Sequence, residues 1–174
     1  RLHGARGEDE KAIELLRSSL EEVPNLPAAA NDLAFALAQR GEALQEATEL
    51  AQEARASRPE SSEIADTLGW VHYKQGAYPA AEALLREAVE KLFTNLEVLY
   101  YLGMAQAKVG RNEEARAALA KSLELSANHA GAAEARATLA SLPPLEKLDL
   151  RWVATLTPPD WFKDLKKRGY LVYR

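Results

Sequence analysis

The amino-acid sequence reads as an all-α solenoid of helix–turn–helix units stacked side by side, followed by a short non-repeat appendage of strand and helix. Self-similarity at a fixed period is the first ground for this. Leu68-Gly69 returns as Leu102-Gly103, 34 residues on, and Gly76 returns as Gly110 at the same interval. Ala47, Ala81 and Ala115 keep that spacing, as do Ala54, Ala88 and Ser122. The second ground is helical periodicity inside each unit. Ala65, Leu68, Gly69 and His72 share one face, and after Gly76 so do Ala81, Leu84, Leu85 and Ala88. Composition is the third. Of 174 residues 47% are hydrophobic and 28% charged, ordinary globular values that supply apolar surface for a core.

Residues 8–22 read as a lone second helix, because Gly7, Ala12, Leu16 and Pro24 align with Gly41, Ala47, Ala51 and Pro59. Its first helix is almost wholly missing, so the pattern predicts further repeats upstream of Arg1-Leu2-His3. The first full unit carries Asn31-Asp32-Leu33-Ala34-Phe35, with Ala34 where Gly69 stands. Its offset is 35, since the turn from Gly41 to Ala47 is one residue longer than that from Gly76 to Ala81. Pro24 and Pro59 end successive units. In Pro59-Glu60-Ser61-Ser62-Glu63 a helix stop precedes a serine cap and early acids that suit the helix dipole. Glycines 41, 76 and 110 fit helix C-caps, where a left-handed backbone is cheap without a Cβ. Small residues stand where paired helices must come closest, Gly69 or Gly103 opposite Ala81 or Ala115; a larger side chain there would cost about 1–3 kcal/mol. After the third unit, Ala130 to Leu142 reads as a capping helix that Pro143-Pro144 ends. The array thus spans residues 1–143 and the appendage 144–174.

Over residues 7–142 the chain resembles the tetratricopeptide repeat, a helix–turn–helix unit of 34 residues. The resemblance rests on the period, the Leu-Gly pairs, the turn glycines, Tyr78, the spaced alanines and the boundary prolines. Phe93 and Ala127 depart from it where Pro24 and Pro59 stand, and Asn112 departs from it at the place of Tyr78. It implies a right-handed superhelix with a concave ligand groove and a role as a protein-interaction scaffold of bacterial type. With the first helix of each unit facing that groove, its exposed stripe holds Asn31, Phe35 and Gln39; Glu63, Asp66, Trp70, Tyr73 and Lys74; and Glu97, Tyr100, Met104 and Lys108. Spacings of three and four place each set on one face. Phe35, Trp70, Tyr73, Tyr100 and Met104 suit ligand contact or packing between repeats, and both readings stay open; Tyr101 reads as core. Such a groove favours an apolar helix or extended peptide. Its aromatics and acids do not form the Lys, Asn and Arg clamp by which some tetratricopeptide proteins hold a terminal carboxylate.

From Leu145 the period changes. Leu148, Leu150, Trp152, Ala154 and Leu156 alternate as in a strand, and a helix follows Pro158-Pro159 with Trp161, Phe162 and Leu165. Thirty residues do not bury two tryptophans alone, so the segment is expected to dock on the repeats, pair with another chain or belong to a longer domain. It holds seven Lys and Arg against four Asp and Glu, leaving fifteen against twenty-two elsewhere, so the two parts carry opposite net charge.

Chemistry-bearing patterns are few. The chain has no cysteine, which removes disulfides, thiol nucleophiles and thiolate metal sites and leaves cytosol and periplasm both open. A net charge of -4 argues against a nucleic-acid partner, and no apolar run reaches membrane-spanning length. His3, His72 and His129 lack ligand spacing, no serine has the surroundings of a nucleophile elbow, and the nine glycines form no phosphate loop. Lys166-Lys167-Arg168 reads as a solvated helix end. No cofactor or metal is expected. The sequence therefore predicts a non-enzymatic scaffold that binds another protein or peptide, the chain's own C-terminal tail and a second copy included. Its alternatives are a self-associating assembly platform and the regulatory or substrate-docking arm of a larger enzyme.

Overall fold

The computed structural model describes residues 6–143, with side chains from Asp9 onward. Among the described residues there are eight α-helices and no strand: α1 (Arg6–Glu22), α2 (Pro27–Arg40), α3 (Leu44–Ser57), α4 (Ser62–Lys74), α5 (Tyr78–Lys91), α6 (Leu96–Lys108), α7 (Asn112–Leu125) and α8 (Ala132–Ser141). The chain divides into two units, Arg1–Leu142 and Pro143–Arg174. The strand and helix expected after Leu145, with the Lys166-Lys167-Arg168 cluster, lie outside the described residues.

Helices α2 and α3, α4 and α5, and α6 and α7 pair as hairpins. Each hairpin leans on the next through α3 with α4 and α5 with α6, while α1 packs on α2 and α8 on α6 and α7. This is an all-α repeat solenoid. A helix pair covers only one apolar face of each member, so the remaining apolar surface is buried against the neighbouring pair.

The spaced small residues fix the distance within each hairpin. A Cβ built on Gly69 would lie 2.7 Å from Leu85 Cγ, and one on Gly103 2.6 Å from Leu119 Cγ. Ala47, Ala81 and Ala115 are fully buried at the matching positions of the second helices. Turn chemistry follows the sequence as well. Gly41, at φ 68°, ends α2 in the left-handed conformation and donates its N–H to Ala38 and Leu37 carbonyls. The longer turn after it is accommodated by Ala43, which takes φ 43° just before α3. Ser61 Oγ caps α4 by accepting the Ile64 N–H at 3.3 Å, and Asn95 Oδ1 caps α6 by accepting the N–H groups of Glu97 and Val98.

Helix α8 is shorter than the expected span of 130–142, because residues 127–131 form turns. There His129 Nδ1 accepts the Gly131 N–H at 3.1 Å, and Arg136 donates to the Ala127 carbonyl. The expected lone helix over 8–22 is present as α1.

Charged side chains tie the second helices together across the repeats. Arg17 on α1 meets Glu46 on α3 at 2.6 Å, Arg55 on α3 meets Glu87 on α5, and Arg111 at the start of α7 meets Glu82 on α5 at 2.8 Å. Glu82 is buried and also bonded by Arg86 one turn along α5.

Candidate functional site

The first helices of three successive units, α2, α4 and α6, share a cavity of about 820 Å³ with α1 and the turn before α8. Its floor is aromatic. The Trp70 ring stacks on Tyr101 at 4.1 Å between centroids and on Tyr73 at 5.0 Å, and Tyr100 and Phe35 complete the wall at tilted angles. Such pairs contribute about 0.5–1.5 kcal/mol each beyond area burial and make the wall stiff. Tyr101 reaches across the floor: its hydroxyl accepts a 2.9 Å bond from Gln39 Nε2 on α2, two hairpins away. The Tyr100 hydroxyl donates to Glu134 on α8 at 2.7 Å, and a Cβ on Gly131 would meet the Tyr100 ring at 2.5 Å. The turn before α8 therefore lies against Tyr100 and closes one end.

Of the residues expected on the groove stripe, Phe35, Gln39, Trp70, Tyr73, Lys74, Glu97 and Tyr100 line this cavity. Asn31, Glu63, Asp66, Met104 and Lys108 do not. Asn31 is buried and donates to its neighbour Asp32, and Asp66 lies buried within α4. Glu63 accepts from the capping Ser61 hydroxyl, Met104 is buried with its sulfur accepting from Thr138, and Lys108 Nζ stands 5.8 Å from the Tyr78 ring centroid. The stripe is thus less exposed than its spacing predicts. Trp70 is 4% accessible, and Phe35, Tyr100 and Met104 are similarly buried, because side chains of adjoining units close over them. Here packing between repeats and lining of the cavity are properties of the same side chains.

Several lining residues escape a reading of single helices. Ala12, Leu15 and Leu16 come from α1, and Leu15 is 69% exposed at the cavity mouth. Asp32, Ala36 and Arg40 widen the α2 stripe by one residue, and Tyr101 projects from what reads as a core position. His129, Ala130, Gly131 and Glu134 come from the cap. The one sequence signal for the last is the period itself, since Glu134 stands 34 residues after its partner Tyr100.

The wall shifts its own titrations. Burial, with a contribution from the charge of Glu134, pushes the Tyr73 phenol up to about 12. Burial and the bond to Glu134 raise Tyr100 further. His129 is held below the ordinary imidazole range by burial and then by Arg136, against an opposing pull from Glu97. These groups keep the wall uncharged at neutral pH. Among the described residues no cluster of His, Asp or Glu could hold a metal ion, and no helix is long and apolar enough to cross a membrane.

The family model described as anaphase-promoting complex, cyclosome, subunit 3 matches residues 41–122. A TPR repeat-containing protein of Pseudomonas aeruginosa is 35% identical over 88 residues, a match that spans 51% of this chain and 15% of that protein. The chain is thus similar to proteins of the tetratricopeptide-repeat type. The same fold is found in solved structures. The pilF protein of Pseudomonas aeruginosa superposes with a TM-score of 0.62 at 28% identity, covering 77% of this chain and 61% of that one. MamA gives 0.60 at 20% identity, covering 77% and 76%, and a thermophilic TPR protein of Thermus thermophilus gives 0.59 at 24% identity, covering 78% and 73%. Proteins built from tetratricopeptide repeats are in general protein–protein interaction modules, typically non-catalytic scaffolds.

Proposed function

We propose that this tetratricopeptide array is a non-enzymatic binding module that takes a peptide or protein segment into the cavity formed by α1, α2, α4, α6 and the turn before α8. The observation that carries this reading is a single aromatic-walled cavity of about 820 Å³ shared by three successive first helices. Buried aromatics held rigid by their neighbours lose little entropy when a ligand is laid on them, which favours binding. Leu15 and Asp32 add exposed apolar and acidic surface to the lining.

Selection from a displayed library of random peptides tests this. Enriched peptides are expected to lose binding to Leu15→Ser and Asp32→Ala, whose changes fall on exposed lining residues, and to keep it for Glu49→Ala on the exposed face of α3. Peptides indifferent to the first two changes would remove the cavity as the site. The same titration on the full chain addresses the other occupants proposed from the sequence. Competition by residues 145–174 would show as tighter peptide binding in Lys166→Glu with Lys167→Glu, and competition by a second copy as tighter binding on dilution. A docking-arm role in a larger enzyme would show as loss of that enzyme's substrate capture with the Leu15→Ser variant.

A further inference from the structure

We propose that the segment received by the cavity is basic: a stretch of another protein whose arginine or lysine side chains lie on the aromatic wall with their charges toward Asp32, Glu97 and Glu134. This rests on the reading of the cavity as a peptide-binding site. The lining carries four carboxylates, Asp9, Asp32, Glu97 and Glu134, against two cations, Arg40 and Lys74. Arg40 is engaged by Glu42 at 3.0 Å and Glu10 at 3.5 Å, neither of which lines the cavity. Asp32 accepts from the Asn31 amide and Glu134 from the Tyr100 hydroxyl, both neutral donors that leave the negative charge in place. In a concave site walled by low-dielectric rings those charges reach further than on an open surface.

The wall itself favours cations. Lys74 Nζ stands 4.8 Å from the Trp70 ring centroid, and Lys108 Nζ approaches Tyr78 in the same manner outside the cavity. An aromatic ring attracts a cation through its quadrupole, more strongly when both are desolvated, and guanidinium groups also stack on such faces. An acidic segment would instead bring like charge against four carboxylates and gain nothing from the rings. Complementary charge governs encounter rate and partner choice more than total affinity, so the signature is discrimination and salt dependence.

The test titrates full-length protein against three short fluorescein-labelled peptides read by anisotropy: alternating arginine and leucine, the same with glutamate for arginine, and the same with glutamine. The arginine peptide is expected to bind about tenfold or more tighter than the glutamate peptide. That advantage is expected to shrink in Asp32→Asn with Glu97→Gln, and as ionic strength rises from about 0.05 M to about 0.5 M. Equal binding of all three, weakened alike by Leu15→Ser, would overturn the charge assignment while leaving a peptide-binding cavity. Absence of binding by all three would overturn both readings. Tighter arginine-peptide binding in Lys166→Glu with Lys167→Glu would give the place to the chain's own tail. A dimer dispersed by the peptide would give it to a second copy, and either result overturns a separate partner.

Discussion

Gly69 and Gly103 set how closely the helices of a hairpin approach, and neither site has room for a methyl group without movement of a leucine. Gly103→Ala is expected to lower stability by about 1–3 kcal/mol, seen as a fall in melting temperature at unchanged native helicity. Gly131→Ala belongs to a different class. Its Cβ meets the Tyr100 ring, so the substitution should disturb the cavity wall and the Tyr100–Glu134 bond more than the core, and peptide binding should suffer before thermal stability does. Trp70→Ala empties a buried stack and is expected to cost about 3–5 kcal/mol, so lost binding in that variant would report folding as well as contact. His129 gives a pH signature. Its native pKa is depressed, so the unfolded chain takes up the proton first on acidification, and the contribution to stability present above the ordinary imidazole range is lost as pH falls through the lower native value. Melting curves at stepped acidity should therefore show a shallower decline for His129→Gln, and an unchanged slope would remove His129 from the account.

At the scale of elements, the hairpin turns differ in a way that the spacing foretells. The extra residue in the first full unit places Ala43 at positive φ, a conformation that costs an L-residue with a Cβ about 1–2 kcal/mol. Ala43→Gly is expected to recover part of that and raise the melting temperature, whereas Gly41→Ala should lower it although nothing lies within 4 Å of its Cβ position. Removal of the Ser61 cap by Ser61→Ala should cost about 1 kcal/mol through the orphaned Ile64 N–H. The pairing of Glu82 with both Arg86 and Arg111 joins two hairpins at a buried carboxylate. Loss of both arginines should destabilise by more than the sum of the single losses, because either one alone still partners the carboxylate; equal additivity by thermal melting would contradict this.

For the described array as a whole, the period carried most of the fold. Leu68-Gly69 and Leu102-Gly103, the turn glycines and the buried alanines recur because each performs the same packing task in every unit, and a repeated task leaves a repeated letter. About a third of the cavity lining was legible for the same reason: Phe35, Gln39, Trp70, Tyr73, Lys74, Glu97 and Tyr100 fall on helical stripes. The burial of those stripes was not, since it depends on how far successive hairpins rotate, and no residue spacing inside one helix records that angle. Nor were the contributions of α1 and of the turn at His129 to Gly131, which belong to the two ends of the array where the repeat pattern is incomplete. The bond from Gln39 to Tyr101 is of this kind, joining side chains 62 positions apart across an intervening hairpin. Stacked arrays are usually treated as a one-dimensional row in which each member feels only those adjacent, and such rows can fray from an end by degrees. A strut that skips a member works against that here by about 0.5–1.5 kcal/mol, the net worth of one neutral hydrogen bond, so it couples the first hairpin to the third, and Gln39→Ala should make unravelling from the α2 side easier and the denaturation of this stretch less concerted.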